Sequence, residues 1–213
     1  MLELQGNFAM HHKIFQDIGI NSISVKKPAD LEEIDGLVIP GGESTTISLL
    51  IDTYDMHEPL IDFGRSFPVL GTCAGLIMMA KDVNDKRIRP LGLVDVTVER
   101  NAYGRQIESR TENIQFNFTD THHFKLLTTL IRAPKIKKIS GDVQVIGSYE
   151  DSPIAILSGH HLCLSFHPEL DQIDIFHRVL FDSKSELYYK KISQYFLVNW
   201  RILSPREEVN ISL

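Results

Sequence analysis

Two short segments, far apart in a chain of 213 residues, hold side chains able to do chemistry. Gly71-Thr72-Cys73-Ala74-Gly75 has the form Gly-x-Cys-x-Gly, the thiol version of a nucleophile elbow. Glycines on both sides permit a tight strand-to-helix turn that presents one nucleophile. His167-Pro168-Glu169-Leu170 supplies a base and an acid two positions apart. In an extended chain, residues i and i+2 point the same way, which sets Glu169 beside the imidazole of His167. The pieces fit a Cys-His-Glu triad, in which carboxylate orients imidazole and imidazole activates thiol.

The neighbours decide between this reading and blander ones. A free cysteine is commonly a small buried hydrophobe. Cys73, however, follows an apolar strand and opens a helix, and a helix start favours a thiolate. Cys163 lacks that setting. Alternation within Leu162-Cys163-Leu164-Ser165-Phe166 makes it a core or sheet residue. A third segment, Gly41-Gly42-Glu43-Ser44-Thr45-Thr46, reads as a strand–helix turn with Ser44 as its N-cap. Its glycines also allow backbone N–H groups to approach a developing oxyanion, and both readings hold together. It is not a P-loop, because the Gly-x-x-x-x-Gly-Lys-Ser/Thr pattern is absent. The pairs His11-His12, His122-His123 and His160-His161 have no accompanying His-Glu-x-x-His or Cys-x-x-Cys spacing. They are expected on the surface or in turns, with no metal.

The elements that must position these residues alternate in type over the first two-fifths of the chain. Strands are expected at 2–5, 22–26, 34–40 and 67–72, and helices at 7–18, 44–54 and 73–81. On the first helix Phe8, His12, Phe15 and Ile18 share one face. The second half is richer in strands, at 94–99, 107–118, 143–149, 154–157 and 162–166, with turns at Gly141-Asp142 and Ser158-Gly159. A last helix is expected at 185–200, with Ser183 to Glu186 in capping-box form and Tyr188, Ile192, Tyr195 and Phe196 on one face. The fold class is therefore α/β, a three-layer sandwich around a mixed, largely parallel sheet. Residues 1–180 form one domain, and residues 181–213 a helix and loose tail packed on it. Sites in such sheets gather beyond the carboxyl ends of strands. Cys73, Gly41-Gly42 and His167 each follow a strand, so three strand ends deliver three useful pieces to one rim.

Composition bounds the setting. A hydrophobic content of 43% suits one compact core. A net charge of −6 with no long basic run argues against nucleic acid. No stretch reaches a membrane-spanning length of apolar residues. Two cysteines and no signal-like start point to a reducing cytoplasm, where Cys73 stays a thiol.

At this point the chain resembles the class I (triad) glutamine amidotransferases. Within them it is similar to the glutaminase subunits of pyridoxal 5'-phosphate synthase, the PdxT/SNO family, over roughly residues 1–180. The resemblance rests on Leu4-Gln5-Gly6, on Pro40 through Thr46 and on Gly71 through Leu76. It continues in Asp95 through Asn101 with Gly104-Arg105-Gln106, in Ile131-Arg132-Ala133-Pro134 and in His167 through Leu170. The elbow and the His-Pro-Glu are shared by many triad glutaminases, whereas the other segments are specific to this branch. The first strand is shorter than the family's, and the tail from about residue 181 does not match it.

The resemblance implies Cys73, His167 and Glu169 as the triad. It implies L-glutamine held by Gly42, Glu43, Ser44, Arg100, Ile131 and Arg132, with an oxyanion site at Gly42 and Ala74. Arginine suits the grip on an α-carboxylate, although either arginine would also serve as a structural ion-pair member. No metal or organic cofactor is implied. The implied partner is a (β/α)8 barrel synthase subunit that takes the ammonia and builds pyridoxal phosphate. Alternatives are a glutaminase for histidine, purine or anthranilate synthesis, a stand-alone cysteine hydrolase, and a non-enzymatic binding subunit.

Overall fold

The computed structural model describes residues 1–100 and 110–192. The Asn101 to Gln106 part of the resemblance, the first residues of the strand expected at 107–118 and the expected helix beyond residue 192 lie outside them.

Parallel strands that must be covered on both faces alternate their side chains between two cores. β1 (Leu37–Ile39), β2 (Val69–Thr72) and β10 (His161–Leu164) do so. Leu37, Ile39, Val69 and Cys163 enter one core, and Val38, Leu70, Leu162 and Leu164 enter the other. The first core is closed by α2 (Ser44–Thr53), α3 (His57–Gly64) and α4 (Ala74–Met79). The second is closed by α1 (Phe8–Asp17) and α5 (Ile175–Phe181). The layers are helix, sheet and helix.

The remaining strands are β3 (Ala80–Val83), β4 (Val94–Glu99), β5 (Arg110–Asn117), β6 (His123–Leu130), β7 (Lys135–Ile139), β8 (Val143–Tyr149) and β9 (Ser152–Ser158). The seven-stranded sheet runs β1-β2-β10-β9-β8-β5-β6, and β3-β4-β7 form a smaller sheet. The main sheet is mixed, but its parallel pairing is confined to one half. β1 with β2 and β2 with β10 are parallel. The pairs from β10 through β6 are antiparallel. The expected dominance of parallel pairing holds only beside the site.

Several expectations shift. The strands at 2–5 and 22–26 reduce to one parallel bridge between Leu2 and Val25, with the Leu2 N–H donated to the Val38 carbonyl. Helix α4 stops at Met79, and the chain turns directly into β3. On α1 the expected stripe of Phe8, His12, Phe15 and Ile18 holds except at His12: Phe15 is buried and Phe8 and Ile18 pack against the second core, while the neighbouring His11 and Ile14 are the other buried residues. At the carboxyl end, residues 183–187 form turns and helix resumes only at residue 189, so the expected capping box does not cap it. Leu187, Tyr189 and Ile192 nevertheless bury themselves in the second core. Among the described residues no helix is long and apolar enough to cross a membrane.

Candidate active site

The parallel trio places the site. β2 lies between β1 and β10, so three neighbouring carboxyl ends face one rim with Cys73 at the centre. Gly41 and Gly42 follow β1, and His167 follows β10.

The elbow forms because its two glycines have no side chain to accommodate. A Cβ on Gly75 would stand 2.0 Å from the Ile39 carbonyl oxygen, and one on Gly71 would stand 2.6 Å from Met79 Sδ. Neither glycine adopts a positive φ. The strain falls on the residue between them, with Cys73 at φ 48°. That left-handed position costs on the order of 1–3 kcal/mol for a residue with a side chain. It lifts Cys73 out of the strand, partly exposed, while its N–H still donates to the Leu164 carbonyl at 2.8 Å.

His167 Nδ1 meets Glu169 Oε1 at 2.7 Å, and the Glu169 side chain is fully buried. On its other side His167 faces Cys73, which also favours the protonated ring. Burial pushes the imidazole toward its neutral form. The hydrogen bonds to Cys73 and Glu169 outweigh that and raise His167 to about 10. A sulfur beside an imidazole that a buried carboxylate helps to hold protonated makes a nucleophile–acid pair. Such a pair can attack a carbonyl carbon and then protonate a leaving nitrogen. Cys163 is fully buried against Met79, its Sγ 3.8 Å from the Met79 sulfur, and burial pushes its thiol well up.

The glycine loop is pinned. The Gly41 N–H donates to Thr72 Oγ1 at 3.0 Å, and the Gly41 carbonyl accepts from the Asn7 N–H at 3.0 Å. The Glu43 N–H donates to Gln5 Oε1 at 2.9 Å. A Cβ on Gly41 would stand 2.2 Å from His167 Cε1, so only glycine lets the loop lie against the imidazole.

Glu43, not Ser44, is the N-cap of α2. Its carboxylate accepts the N–H groups of Thr45 and Thr46 and both threonine hydroxyls. Burial opposes ionisation, but the hydrogen bonds from Thr45 and Thr46 win and hold Glu43 down at about 2. Ser44 is instead buried. Arg100 spans Glu43 at 2.9 Å and Asp85 at 2.7 Å. The structural ion-pair role weighed for it from sequence is thus present beside its place in the pocket.

A cavity of about 570 Å³ opens over Cys73. Gly42, Glu43, Ser44, Ala74, Arg100, Ile131, Arg132 and His167 line it, while Glu169 stands behind His167. The 131–132 segment follows β6, at the far edge of the sheet. Asp171 reels it in by accepting the Thr129 N–H and hydroxyl, each at 2.7 Å. Arg132 itself sits at φ 46°. Gln5, Asn7, Ile77 and Leu170 also line the cavity and were not singled out as site residues from sequence. Of the histidine pairs, His11 and His161 are buried rather than on the surface, because each packs its ring into a core.

Comparison with known proteins agrees with this architecture. A solved structure described as a glutamine amidotransferase matches with a TM-score of 0.77 at 35% identity, covering 85% of this chain and 95% of that one. The structure of PurLQS from Thermotoga maritima shares the fold at a TM-score of 0.56 and 16% identity, covering 92% of this chain and 95% of that one. The fold is that of the glutamine amidotransferases. The chain belongs to the SNO glutamine amidotransferase family, whose model matches residues 1–184. Curated relatives named pyridoxal 5'-phosphate synthase subunit PdxT include one from Solibacter usitatus, 43% identical over 174 residues, covering 80% of this chain and 90% of the relative. Another, from Brevibacillus brevis, is 39% identical over 187 residues, covering 87% and 96%.

Proposed function

We propose that the chain hydrolyses L-glutamine to glutamate and ammonia at Cys73, and hands the ammonia to a pyridoxal 5'-phosphate synthase barrel subunit. The observation that carries the reading is the Cys73–His167–Glu169 line at the floor of a cavity ringed by Arg100, Arg132 and Glu43. The Cys73 thiolate attacks the side-chain carboxamide. Backbone N–H groups at Gly42 and Ala74 receive the oxyanion. The His167 imidazolium protonates the departing ammonia, and water then cleaves the glutamyl thioester. The relatives named PdxT support the pathway and the partner, and a cytoplasmic setting goes with it. Residues 1–180 form the glutaminase domain, with residues 181–192 packed on it.

Arg100 and Arg132 grip the glutamine α-carboxylate. Replacing either by alanine is expected to raise KM by about ten- to a hundredfold, the equivalent of about 1.5–3 kcal/mol for a charge-assisted contact. Arg100→Ala also frees Glu43 and Asp85 from their shared cation, so it is the variant expected to lose some stability. Glutamine saturation curves on folded variants decide this, and unchanged curves for both return the arginines to a structural role.

The partner is expected to switch the glutaminase on. The Gly41 carbonyl is tied to Asn7, and the Glu43 N–H to Gln5, so reorienting the Gly41–Gly42 peptide means breaking a contact to the 5–7 segment. Docking of the barrel subunit on that segment shifts the loop toward the active orientation. Ammonia release by this chain alone, compared with release in the presence of the purified barrel subunit, tests the claim. Equal rates favour the stand-alone hydrolase.

A further inference from the structure

Behind Glu169, away from His167, lie two histidines that the triad chemistry does not use. His11 comes from α1 and His177 from α5, and both are fully buried. His11 Nδ1 meets His177 Nε2 at 2.8 Å. The other nitrogen of His11, Nε2, stands 3.4 Å from Glu169 Oε2 and 3.4 Å from Thr72 Oγ1. Thr72 precedes the thiol, and its hydroxyl oxygen holds the Gly41 N–H. One imidazole therefore touches the carboxylate of the triad, the residue before the nucleophile and, through it, the glycine loop.

The proton positions follow from burial and from which atoms lack partners. Desolvation keeps both rings neutral. It lowers His177 to about 3 and His11 well below its usual value, with the nearby His177 and His167 adding to the effect on His11. Each neutral ring carries one N–H. If His11 Nδ1–H donated to His177, the His177 proton would sit on Nδ1, a buried atom with no hydrogen-bond partner among the described residues. His11 Nε2 would then turn a lone pair toward the carboxylate. An orphaned buried N–H is costlier and rarer than an orphaned lone pair. The reverse arrangement removes both faults. His177 Nε2–H donates to His11 Nδ1, and His11 Nε2–H faces Glu169 Oε2 and Thr72 Oγ1. At 3.4 Å this is a long charge–dipole contact, yet Oε2 otherwise has no hydrogen-bond partner among the described residues.

The geometry points to His11, oriented by His177, as a positioning residue that fixes the Glu169 carboxylate and registers it against the elbow through Thr72. Oε1 carries the bond to His167, with Asn7 Nδ2 3.5 Å away. Without a donor at Oε2 the buried carboxylate is held on one side only, and the imidazole it orients loosens with it. Neither histidine lines the cavity, so neither touches substrate. This role rests on the triad reading above.

The test compares His11→Leu, His11→Gln and His177→Leu, each checked for fold by circular dichroism. Two readouts are taken: glutaminase kcat and KM with the barrel subunit present, and the rate at which iodoacetamide alkylates Cys73 in the chain alone at neutral pH. His11→Leu is expected to lower kcat and the alkylation rate by about tenfold or more with KM unchanged, a smaller loss than removing the carboxylate itself. His11→Gln keeps an N–H near the position of Nε2 and is expected to recover most of both. His177→Leu should move both in the same direction by less. A folded His11→Leu with wild-type kcat and alkylation overturns the proposal. If His11→Leu does not fold, His11→Gln is set against His11→Asn, whose N–H falls near Nδ1 instead. Glutamine outperforming asparagine supports the role, and parity overturns it. If even the wild-type chain leaves glutamine intact, the substrate reading fails, while the alkylation rates still decide what His11 does.

Discussion

Cys73→Ala is expected to abolish ammonia release from glutamine, on the order of four to six decades in rate, while the chain keeps its fold. The loss is large because no other thiol can substitute: Cys163 is sealed in the core on the far side of β10 from the second helical layer. The fold survives because alanine retains the Cβ. The left-handed backbone at position 73 is imposed by its neighbours, and its cost is the same for both residues. The contrast variant is Cys163→Ala. It deletes a buried sulfur packed on Met79 and is expected to cost about 1–2 kcal/mol of stability with activity preserved. Glutaminase assays and thermal melts on the two variants separate catalysis from packing. A Cys73→Ala chain that releases ammonia at near the wild-type rate ends the thiol mechanism.

That Cys73, His167 and the Gly41-Gly42 loop gather at one rim was more legible in the sequence than several of the elements around them. Glycine, cysteine, histidine and glutamate announce themselves by type and spacing, and the strand before each is a continuous apolar run. Elements that do not follow a simple period were harder to read. β7 is Lys135-Ile136-Lys137-Lys138-Ile139, with Ile136 its single buried residue, so charge hides the strand. β6 is mostly exposed until its last residues. α5 spans seven residues, too few for a helical stripe to show. α3 carries Pro59 in its first turn, which is tolerated there but reads as a break.

The same limit explains the contacts that sequence reasoning missed within the site. Glu43 caps α2 through its long side chain, a role that shorter residues such as Ser44 usually fill. The helical period set His12, not His11, on the face shared by Phe8, Phe15 and Ile18, so His11 reads as a surface residue. Its partners, Thr72, Glu169 and His177, lie 61, 158 and 166 positions away, and only the packing of α1 and α5 on one face of the sheet unites them. Asp171 acts across 42 positions, tying β6 to the loop that carries Glu169. Residue type marks the groups that react. The groups that hold them still are set by tertiary contacts between distant parts of the chain.

His167→Asn is expected to be nearly as damaging as the loss of Cys73, and Glu169→Gln milder, because the imidazole moves the proton and the carboxylate orients the imidazole. The pH dependence separates them further. Burial pushes His167 down, but its hydrogen bonds to Cys73 and Glu169 raise it above its usual value, to about 10. The imidazolium that protonates the leaving ammonia therefore persists through neutral pH, and activity declines on the alkaline side as that proton is lost. The sign for stability is the same: a raised histidine stabilises the fold fully below its unfolded value near 6.5 and loses that contribution as pH rises through the folded one. Removing the charge of Glu169 takes away one of the influences that raise His167. The alkaline limb of kcat in Glu169→Gln should thus move toward lower pH, in addition to the fall in its plateau. Rate–pH profiles of the wild type and Glu169→Gln, each with the barrel subunit present, measure this. A limb that stays in place or moves upward removes Glu169 from the triad, and a His167→Asn chain that keeps its activity while His123→Asn loses it would assign the base elsewhere.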